Sequence, residues 1–331
     1  MAEFNPDFQV KKFVNCAPEH FLREALICGD LLTYTTGGQG EPHPLNYTQL
    51  ARIMPDGRVK RFAKFIHPGA GIFTTALFSP AANEIHAFFQ FHHAGEWMTR
   101  LENRRTVSYD NGNTWSVPEP FNDNINNYWT GTPIISNKRW LIPVAFAESS
   151  NSSFDDKSDM IKWAKNNFNF RSRILYSDDE GRTFKESEVV PSDELHLNEC
   201  RIVRLADGRI MMLMRSWDSQ VLFRSFSNDN GLSWSKAQAA DIPNPSAKIL
   251  LLAAPDGRIA LVHNPVVPRR SRLELWLGDG AKWDKKIFIA ADNKRNLNYP
   301  DGYFDTDGNL HLIWEDARSV FNTVISNKFF K

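Results

Sequence analysis

An eight-residue turn motif recurs along the 331-residue chain with a spacing of about fifty residues. Its pattern is Ser-x-Asp-x-Gly-x-(Thr/Ser)-aromatic, and it occurs as SYDNGNTW, SDDEGRTF and SNDNGLSW at residues 108–115, 177–184 and 227–234. A fourth copy, WLGDGAKW at residues 276–283, keeps only the last Gly and Trp, and the four starts are 69, 50 and 49 residues apart. A repeated four-stranded unit of this length predicts a β-propeller, and the chain has room for about six blades.

A second repeat, an Asp-Gly pair followed by an apolar strand, alternates with the first. It occurs at residues 207–208, 256–257 and 307–308, with weaker copies at residues 29–30 and 56–57. Asp-Gly before aliphatic residues is a hairpin signal. The seventh residue after each full-repeat Gly is Arg215, Asn264 or Glu315. If these strands line a common axis, the three side chains converge on it.

These repeats predict an all-β fold, a six-bladed β-propeller of four-stranded antiparallel blades. No linker-like stretch interrupts residues 1–331, so we expect a single domain. The only helical signal is a short amphipathic stretch near residues 150–170, which we interpret as an insertion at the end of a blade.

The overall composition limits which classes of partner and cofactor are expected for the protein. The formal net charge is zero, so neither nucleic acid nor a membrane surface is expected as a partner. The three cysteines lack metal-ligand spacing, and we expect no metal and no cofactor. The N-terminus has no apolar signal core, which predicts a cytoplasmic protein, or a secreted or periplasmic one whose signal peptide has been removed.

The turn motif resembles the Asp-box, or BNR repeat, of the sialidase (neuraminidase) superfamily, whose members are six-bladed propellers. The resemblance runs from about Cys16 to Phe330, and YWTGTPII, PNPSAKI and LNYPDGYFDTDGNLHLIWEDAR look like the sialidase-like branch of that group. It implies a glycoside hydrolase that releases a terminal sialic acid or a related acidic sugar. The glycan would be the partner of the protein.

The resemblance implies roles for residues in the later blades. Tyr299 in LNYPDG would be the nucleophile and Glu199 in NEC its base. Arg215 and Arg270 would bind the substrate carboxylate, with Arg272 as the reserve for Arg270. A neutral phenol suits attack beside a carboxylate, but its pKa of about 10 requires a base within hydrogen-bond reach.

The first blade departs from the sialidase pattern. Arg23 would have to serve as the remaining carboxylate-binding arginine, with Glu315 holding it. The loop that should carry an acidic Asp reads GGQGEPHPLNY, which leaves Glu41 and His43 as candidate acid or base. A third arginine beside Arg215 and Arg270 would favour the sialidase interpretation.

Other interpretations remain open from the sequence. Glu199 and Arg215 suit a structural ion pair as well as a catalytic site, and Glu315 is an alternative partner for Arg215. With the first blade altered, the chain also suits a polysaccharide lyase for uronic-acid glycans, using His or Tyr as base, or a non-catalytic carbohydrate-binding propeller. The acids of the turn motif are expected to be structural.

Overall fold

The computed structural model describes residues 2–15, 22–38, 43–93, 101–121, 128–149, 168–194, 196–316 and 318–330. Within these residues the chain forms six antiparallel sheets and one 3₁₀ turn, Asn327–Phe330. The sheets are the blades of a six-bladed β-propeller, so the predicted fold class is confirmed.

The blades follow one another along the chain after two N-terminal strands. The N-terminal strands are β1 (Glu3–Phe4) and β2 (Lys11–Asn15). Blade 1 contains β3 (Leu22–Cys28), β4 (Leu31–Thr36), β5 (Tyr47–Ile53) and β6 (Val59–Phe65). Blade 2 contains β7 (Ala70–Ala81), β8 (Glu84–His93), β9 (Leu101–Ser108) and β10 (Glu119–Pro120). Blade 3 contains β11 (Tyr128–Thr130), β12 (Ile134–Ser136), β13 (Arg139–Ser149), β14 (Phe168–Ser177) and β15 (Lys185–Glu186).

The second half of the ring continues in the same order. Blade 4 contains β16 (Leu197–Arg204), β17 (Ile210–Ser216), β18 (Val221–Ser227) and β19 (Gln238–Pro243). Blade 5 contains β20 (Leu250–Ala253), β21 (Ile259–His263), β22 (Arg272–Gly278) and β23 (Trp283–Ala291). Blade 6 contains β24 (Asn298–Phe304), β25 (Leu310–Glu315) and β26 (Ser319–Ile325).

The first strand of each blade lies nearest the axis. The first strands of neighbouring blades contact one another around the ring, including β3 with β7, β16 with β20, and β24 with β3. The N-terminal strands then close the ring, because β2 pairs with β26 as the outermost strand of blade 6. Strand β1 pairs with β23 at the edge of blade 5.

The apolar core lies between blades rather than inside any one of them. Each of the six interfaces between neighbouring blades has its own cluster of buried hydrophobic side chains. Trp314 of blade 6, for example, is fully buried in the cluster shared with Leu275 of blade 5. Inner strands such as β4 and β17 are therefore covered on both faces and are buried along nearly their whole length, whereas β6 on the outer edge is mostly exposed.

The recurrent turn motifs join the last two strands of blades 2, 3 and 4. In the blade 4 copy, the Ser227 hydroxyl donates to Asp229 Oδ1 at 2.7 Å and accepts the Gly231 N–H at 2.8 Å. Trp234 ends this copy and packs with Leu141 and Ile174 of blade 3. The aromatic residue of this copy is therefore packed between two blades.

The Asp-Gly repeats join the first strand of a blade to the second. Asp56-Gly57 instead joins β5 to β6, so it is not a copy of this repeat. Arg215, Asn264 and Glu315 stand seven positions after the glycines of the three full repeats. They lie at or next to the ends of second strands, which are one strand away from the axis. Asn264 donates to the backbone oxygens of Arg272 and Leu297, at 2.8 and 3.1 Å. Arg215 and Glu315 instead reach side chains of first strands, where they pair with Glu199 and Arg23.

Residues 150–167, which carry most of the predicted helical insertion, lie outside the described residues; β14 begins at Phe168. In the part of the chain that is described, no helix is long and apolar enough to cross a membrane.

Candidate active site

The first strands of blades 1, 4 and 6 have the same irregularity near their N-terminal ends. The register with the second strand breaks between Arg23 and Leu26, between Asn198 and Arg201, and between Asn298 and Asp301. Inside these breaks Glu24, Glu199 and Tyr299 have φ angles of 50°, 42° and 48°. Such bulges re-aim side chains, and left-handed backbone at a non-glycine residue is concentrated at functional sites. The fold therefore sets three chemically active side chains in strained positions around the axis.

Lys248 belongs to the same set through the sequence repeat. Glu199, Lys248 and Tyr299 each stand nine residues before the glycine of an Asp-Gly turn, Gly208, Gly257 and Gly308 respectively. Lys248 is 5% exposed and lies just before the first strand of blade 5. Sequence reasoning missed this lysine, although counting backward from the glycines, as well as forward, would have found it.

Tyr299 is surrounded by cations. The guanidinium carbons of Arg23 and Arg270 lie 5.5 and 5.9 Å from the centre of its ring, and the Lys248 ammonium lies 5.6 Å from it. Arg270 also hydrogen-bonds the Tyr299 side chain. Positive charge at this distance favours the phenolate over the phenol.

Three of the cations in the cluster have carboxylate partners. Arg23 Nη1 lies 3.2 Å from Glu315 Oε1, and Lys248 Nζ lies 2.5 Å from Glu24 Oε2. Arg215 pairs with Glu199 on the same blade. The ion pair that the sequence left open for Arg215 is therefore made to Glu199, while Glu315 is paired with Arg23.

Arg270 differs from these cations. Its guanidinium donates to Asn298 Oδ1 at 3.1 Å and to the backbone oxygen of Ser246, and among the described residues it has no carboxylate partner. The Ser246 hydroxyl accepts a hydrogen bond from Arg215 Nε at 3.0 Å, so one serine links the two arginines. Burial and the neighbouring charge of Arg215 lower the pKa of Arg270. An anion placed here would relieve that repulsion.

The two inner glutamates respond to this environment in opposite ways. Burial raises the pKa of Glu199, but attraction to Arg215 and Lys248 outweighs it, and the pKa lies below the ordinary value. Burial also raises the pKa of Glu24; Lys248 lowers it, the negative charge of Glu199 raises it, and the balance stays above the ordinary value. When the pKa values of two neighbouring carboxyl groups are shifted in opposite directions, one group can act as a base and the other as an acid.

The remaining candidates make other contacts or lie outside the described residues. Glu41 lies outside them. His43 Nδ1 accepts the backbone N–H of Leu45 at 3.2 Å, so this nitrogen is used within its own loop. Arg272 pairs with Glu274 two residues along β22, at 2.5 Å.

Sequence reasoning also missed Glu24, which is adjacent to Arg23 in the sequence. The bulge that turns Glu24 toward Lys248 has no signature in the sequence of β3. The described residues contain no group of three or more His, Cys, Asp or Glu side chains that could hold a metal ion.

Comparison with known proteins assigns the family. The profile of the BNR repeat-like domain matches residues 63–312, which is most of the chain. The chain belongs to the BNR repeat-like domain family. The resemblance to Asp-box proteins of the sialidase superfamily is thereby confirmed at the level of family and fold. No curated protein matches this BNR-repeat chain in sequence.

Solved structures share the propeller at low sequence identity. The Hadza microbial sialidase Hz136 superimposes with a TM-score of 0.74 and 13% identity, over 95% of this chain and 66% of that one. A protein of unknown function from Dyadobacter fermentans gives 0.71 and 16%, over 95% and 98% of the two chains. The intramolecular trans-sialidase from Ruminococcus gnavus, solved with oseltamivir carboxylate, gives 0.61 and 13%, over 92% and 94%.

Proposed function

We propose that this BNR-repeat propeller is a glycoside hydrolase that releases a terminal sialic acid or a related acidic sugar. The observation that carries the proposal is the setting of Tyr299: a tyrosine on a strained bulge, with three cations within 6 Å of its ring. One of those cations, Arg270, has no carboxylate partner among the described residues.

The charges of the site suit a substrate with one carboxylate. Arg23 and Arg215 are each paired with a glutamate, which leaves Arg270 to pair with the substrate carboxylate. An arginine fork pairs well with a carboxylate, and in this proposal Arg23 and Arg215 add donors to the same group. Glu315, which is fully buried, holds Arg23 in place.

Tyr299 is the nucleophile in this proposal. A carboxylate nucleophile would be repelled by the carboxylate on the anomeric carbon of a sialic acid, whereas a neutral phenol is not. Glu199 accepts the phenol proton as Tyr299 attacks, because its depressed pKa keeps it ionised at neutral pH. The surrounding cations stabilise the phenolate when it leaves in the second step. Glu41 and His43 are the sequence-derived candidates for the proton donor.

The proposal is tested with a fluorogenic sialoside. We expect wild-type protein to release free sialic acid, and Tyr299→Phe and Glu199→Gln each to lose at least about a hundredfold in kcat because each removes a group that acts on the reacting atoms. Both variants should keep the wild-type circular dichroism spectrum.

Tyr303→Phe is the matched control, since Tyr303 lies on the same strand and its hydroxyl donates to the Gly29 backbone oxygen at 3.1 Å. Its activity should equal wild type. An unsaturated, ultraviolet-absorbing product from a uronic-acid glycan would assign a lyase instead. Glycan binding without turnover, unchanged by Tyr299→Phe, would identify a non-catalytic binding propeller.

A further inference from the structure

Cleavage of an alkyl glycoside needs a proton on the leaving oxygen, and the site holds a carboxyl group to which the mechanism above gives no role. Glu24 lies on the bulge of β3, next to Arg23 and against the other catalytic candidates. We propose that Glu24 is the proton donor of this site, an assignment that rests on the hydrolase function proposed above.

The geometry that supports the assignment runs through Lys248. Lys248 Nζ lies 2.5 Å from Glu24 Oε2 and 5.6 Å from the centre of the Tyr299 ring. The Glu24 oxygen is therefore no more than about 8 Å from the ring centre, so the proposed acid and nucleophile lie in the same site. The two strands that carry them, β3 and β24, are in direct contact.

The surroundings of Glu24 favour the protonated form of its carboxyl group. Its carboxyl group is mostly buried, with 13% of the side chain exposed, and it is flanked by the negative charge of Glu199. Burial raises its pKa most strongly; Lys248 and Arg201 lower it, and Glu199 raises it. Glu199 loses its own proton more readily, so the two glutamates divide into an acid and a base.

Lys248 acts as a positioning residue in this scheme. Its ammonium holds one Glu24 oxygen and only 6% of its side chain is exposed, so the carboxyl group has a defined orientation. The same ammonium lies beside the Tyr299 ring, where its charge favours the phenolate. One lysine thus connects the acid to the nucleophile.

The reaction balances with these groups and one water. In the first step, Tyr299 Oη forms a bond to the anomeric carbon and gives its proton to Glu199, while the bond to the leaving oxygen breaks and that oxygen takes the Glu24 proton. In the second step, water attacks the anomeric carbon and gives a proton to the Glu24 carboxylate. The bond to Tyr299 breaks, and the phenolate recovers its proton from Glu199.

The test is Glu24→Gln, assayed on an alkyl-linked sialoside and on a 4-methylumbelliferyl sialoside. The alkyl leaving group needs protonation and the umbelliferyl group does not. We therefore expect a loss of at least about a hundredfold on the first substrate and a much smaller loss in bond cleavage on the second. The alkaline limb of the wild-type pH profile should vanish, and added azide should yield a glycosyl azide.

His43→Ala and Glu41→Gln test the rival donors in the same assay, and neither should show a loss that depends on the leaving group. If Glu24→Gln fails to fold, Glu24→Asp replaces it, because it keeps the carboxyl group but withdraws it by one methylene. Its loss should again be larger for the alkyl substrate.

The outcomes separate this assignment from the proposed function. Wild-type turnover with an equal loss on both substrates in Glu24→Gln means that Glu24 is structural and overturns the assignment alone. A leaving-group-dependent loss in His43→Ala or Glu41→Gln, but not in Glu24→Gln, does the same. If the wild-type protein turns over neither sialoside, the hydrolase proposal is overturned, and this assignment is overturned with it.

Discussion

At the residue scale, the site is built from charges that are buried in pairs. Taking a charged side chain out of water costs several kcal/mol, and a close partner offsets that cost. Glu315 is fully buried against Arg23, and Lys248 and Glu24 are almost as deeply placed. Arg270 departs from this pattern, because its guanidinium bonds Asn298 and Ser246 and pairs with no carboxylate among the described residues.

Replacement of Arg270 tests whether it binds the substrate carboxylate. We expect Arg270→Gln to raise KM by about tenfold to a hundredfold, since a hydrogen bond to a charged group is worth about 1.5–3 kcal/mol. Steady-state kinetics on the fluorogenic sialoside measures the effect. Arg272→Gln is the control, because Arg272 pairs with Glu274 instead. A KM that stays at the wild-type value in Arg270→Gln would contradict the role.

At the element scale, the turn motif is a self-contained hydrogen-bonded unit that also fits between blades. Asp229 receives bonds from the hydroxyls of Ser227 and Ser233 and from the backbone N–H groups of Leu232 and Ser233, at distances of 2.5–3.0 Å. Burial alone would raise the pKa of Asp229, but these bonds lower it to about 2. The acids of the motif thus serve the turn, as the sequence predicted.

Ser227→Ala should destabilise the protein by about 1–2 kcal/mol, because a buried hydroxyl that serves two partners is lost. Urea unfolding at pH 7 measures this loss. A folded-state pKa below the unfolded value gives stability that is present above about pH 4 and is lost as pH falls toward 2. Without the Ser227 bond the Asp229 pKa is less depressed. The free energy of unfolding of the variant should therefore depend less steeply on pH in the acid range.

Ser79→Ala is the control for this measurement, since Ser79 is exposed and bonds only its neighbour Ala81. A Ser227→Ala variant as stable as Ser79→Ala would show that the motif contributes little to the free energy of unfolding.

At the scale of the whole molecule, stability depends on closing the ring. The core is divided among six interfaces between blades, and the interface between blades 6 and 1 contains Val14 of the N-terminal strand β2. Phe8 lies in the cluster between blades 5 and 6. The first fifteen residues therefore connect the end of the chain to its beginning.

Deletion of residues 1–15 should lower the unfolding midpoint. The loss of Phe8 and Val14 removes about 1.5–3 kcal/mol of burial each, and the exposed edge of β26 becomes a site for aggregation. Thermal unfolding followed by circular dichroism measures the change. Adding a peptide of residues 1–15 should restore part of the midpoint, and an unchanged midpoint after deletion would contradict this account.

The sequence by itself determined the blade and the number of blades, because turn residues and apolar strands are local and repeat with the fold. The resemblance to sialidases indicated Tyr299, Glu199, Arg215 and Arg270 as site candidates, and the Asp-Gly repeat indicated Arg215 independently. The sequence did not indicate that Glu24 and Lys248 meet.

Only the tertiary structure decided which charges pair. Arg23 and Glu315 are 292 residues apart and Lys248 and Glu24 are 224 apart, and both contacts exist only because the ring brings distant blades together at the axis. The bulges that aim Glu24, Glu199 and Tyr299 arise from strand register, which a sequence period of about fifty residues does not encode. Repetition specifies the scaffold, whereas the site consists of the positions at which the repeats differ.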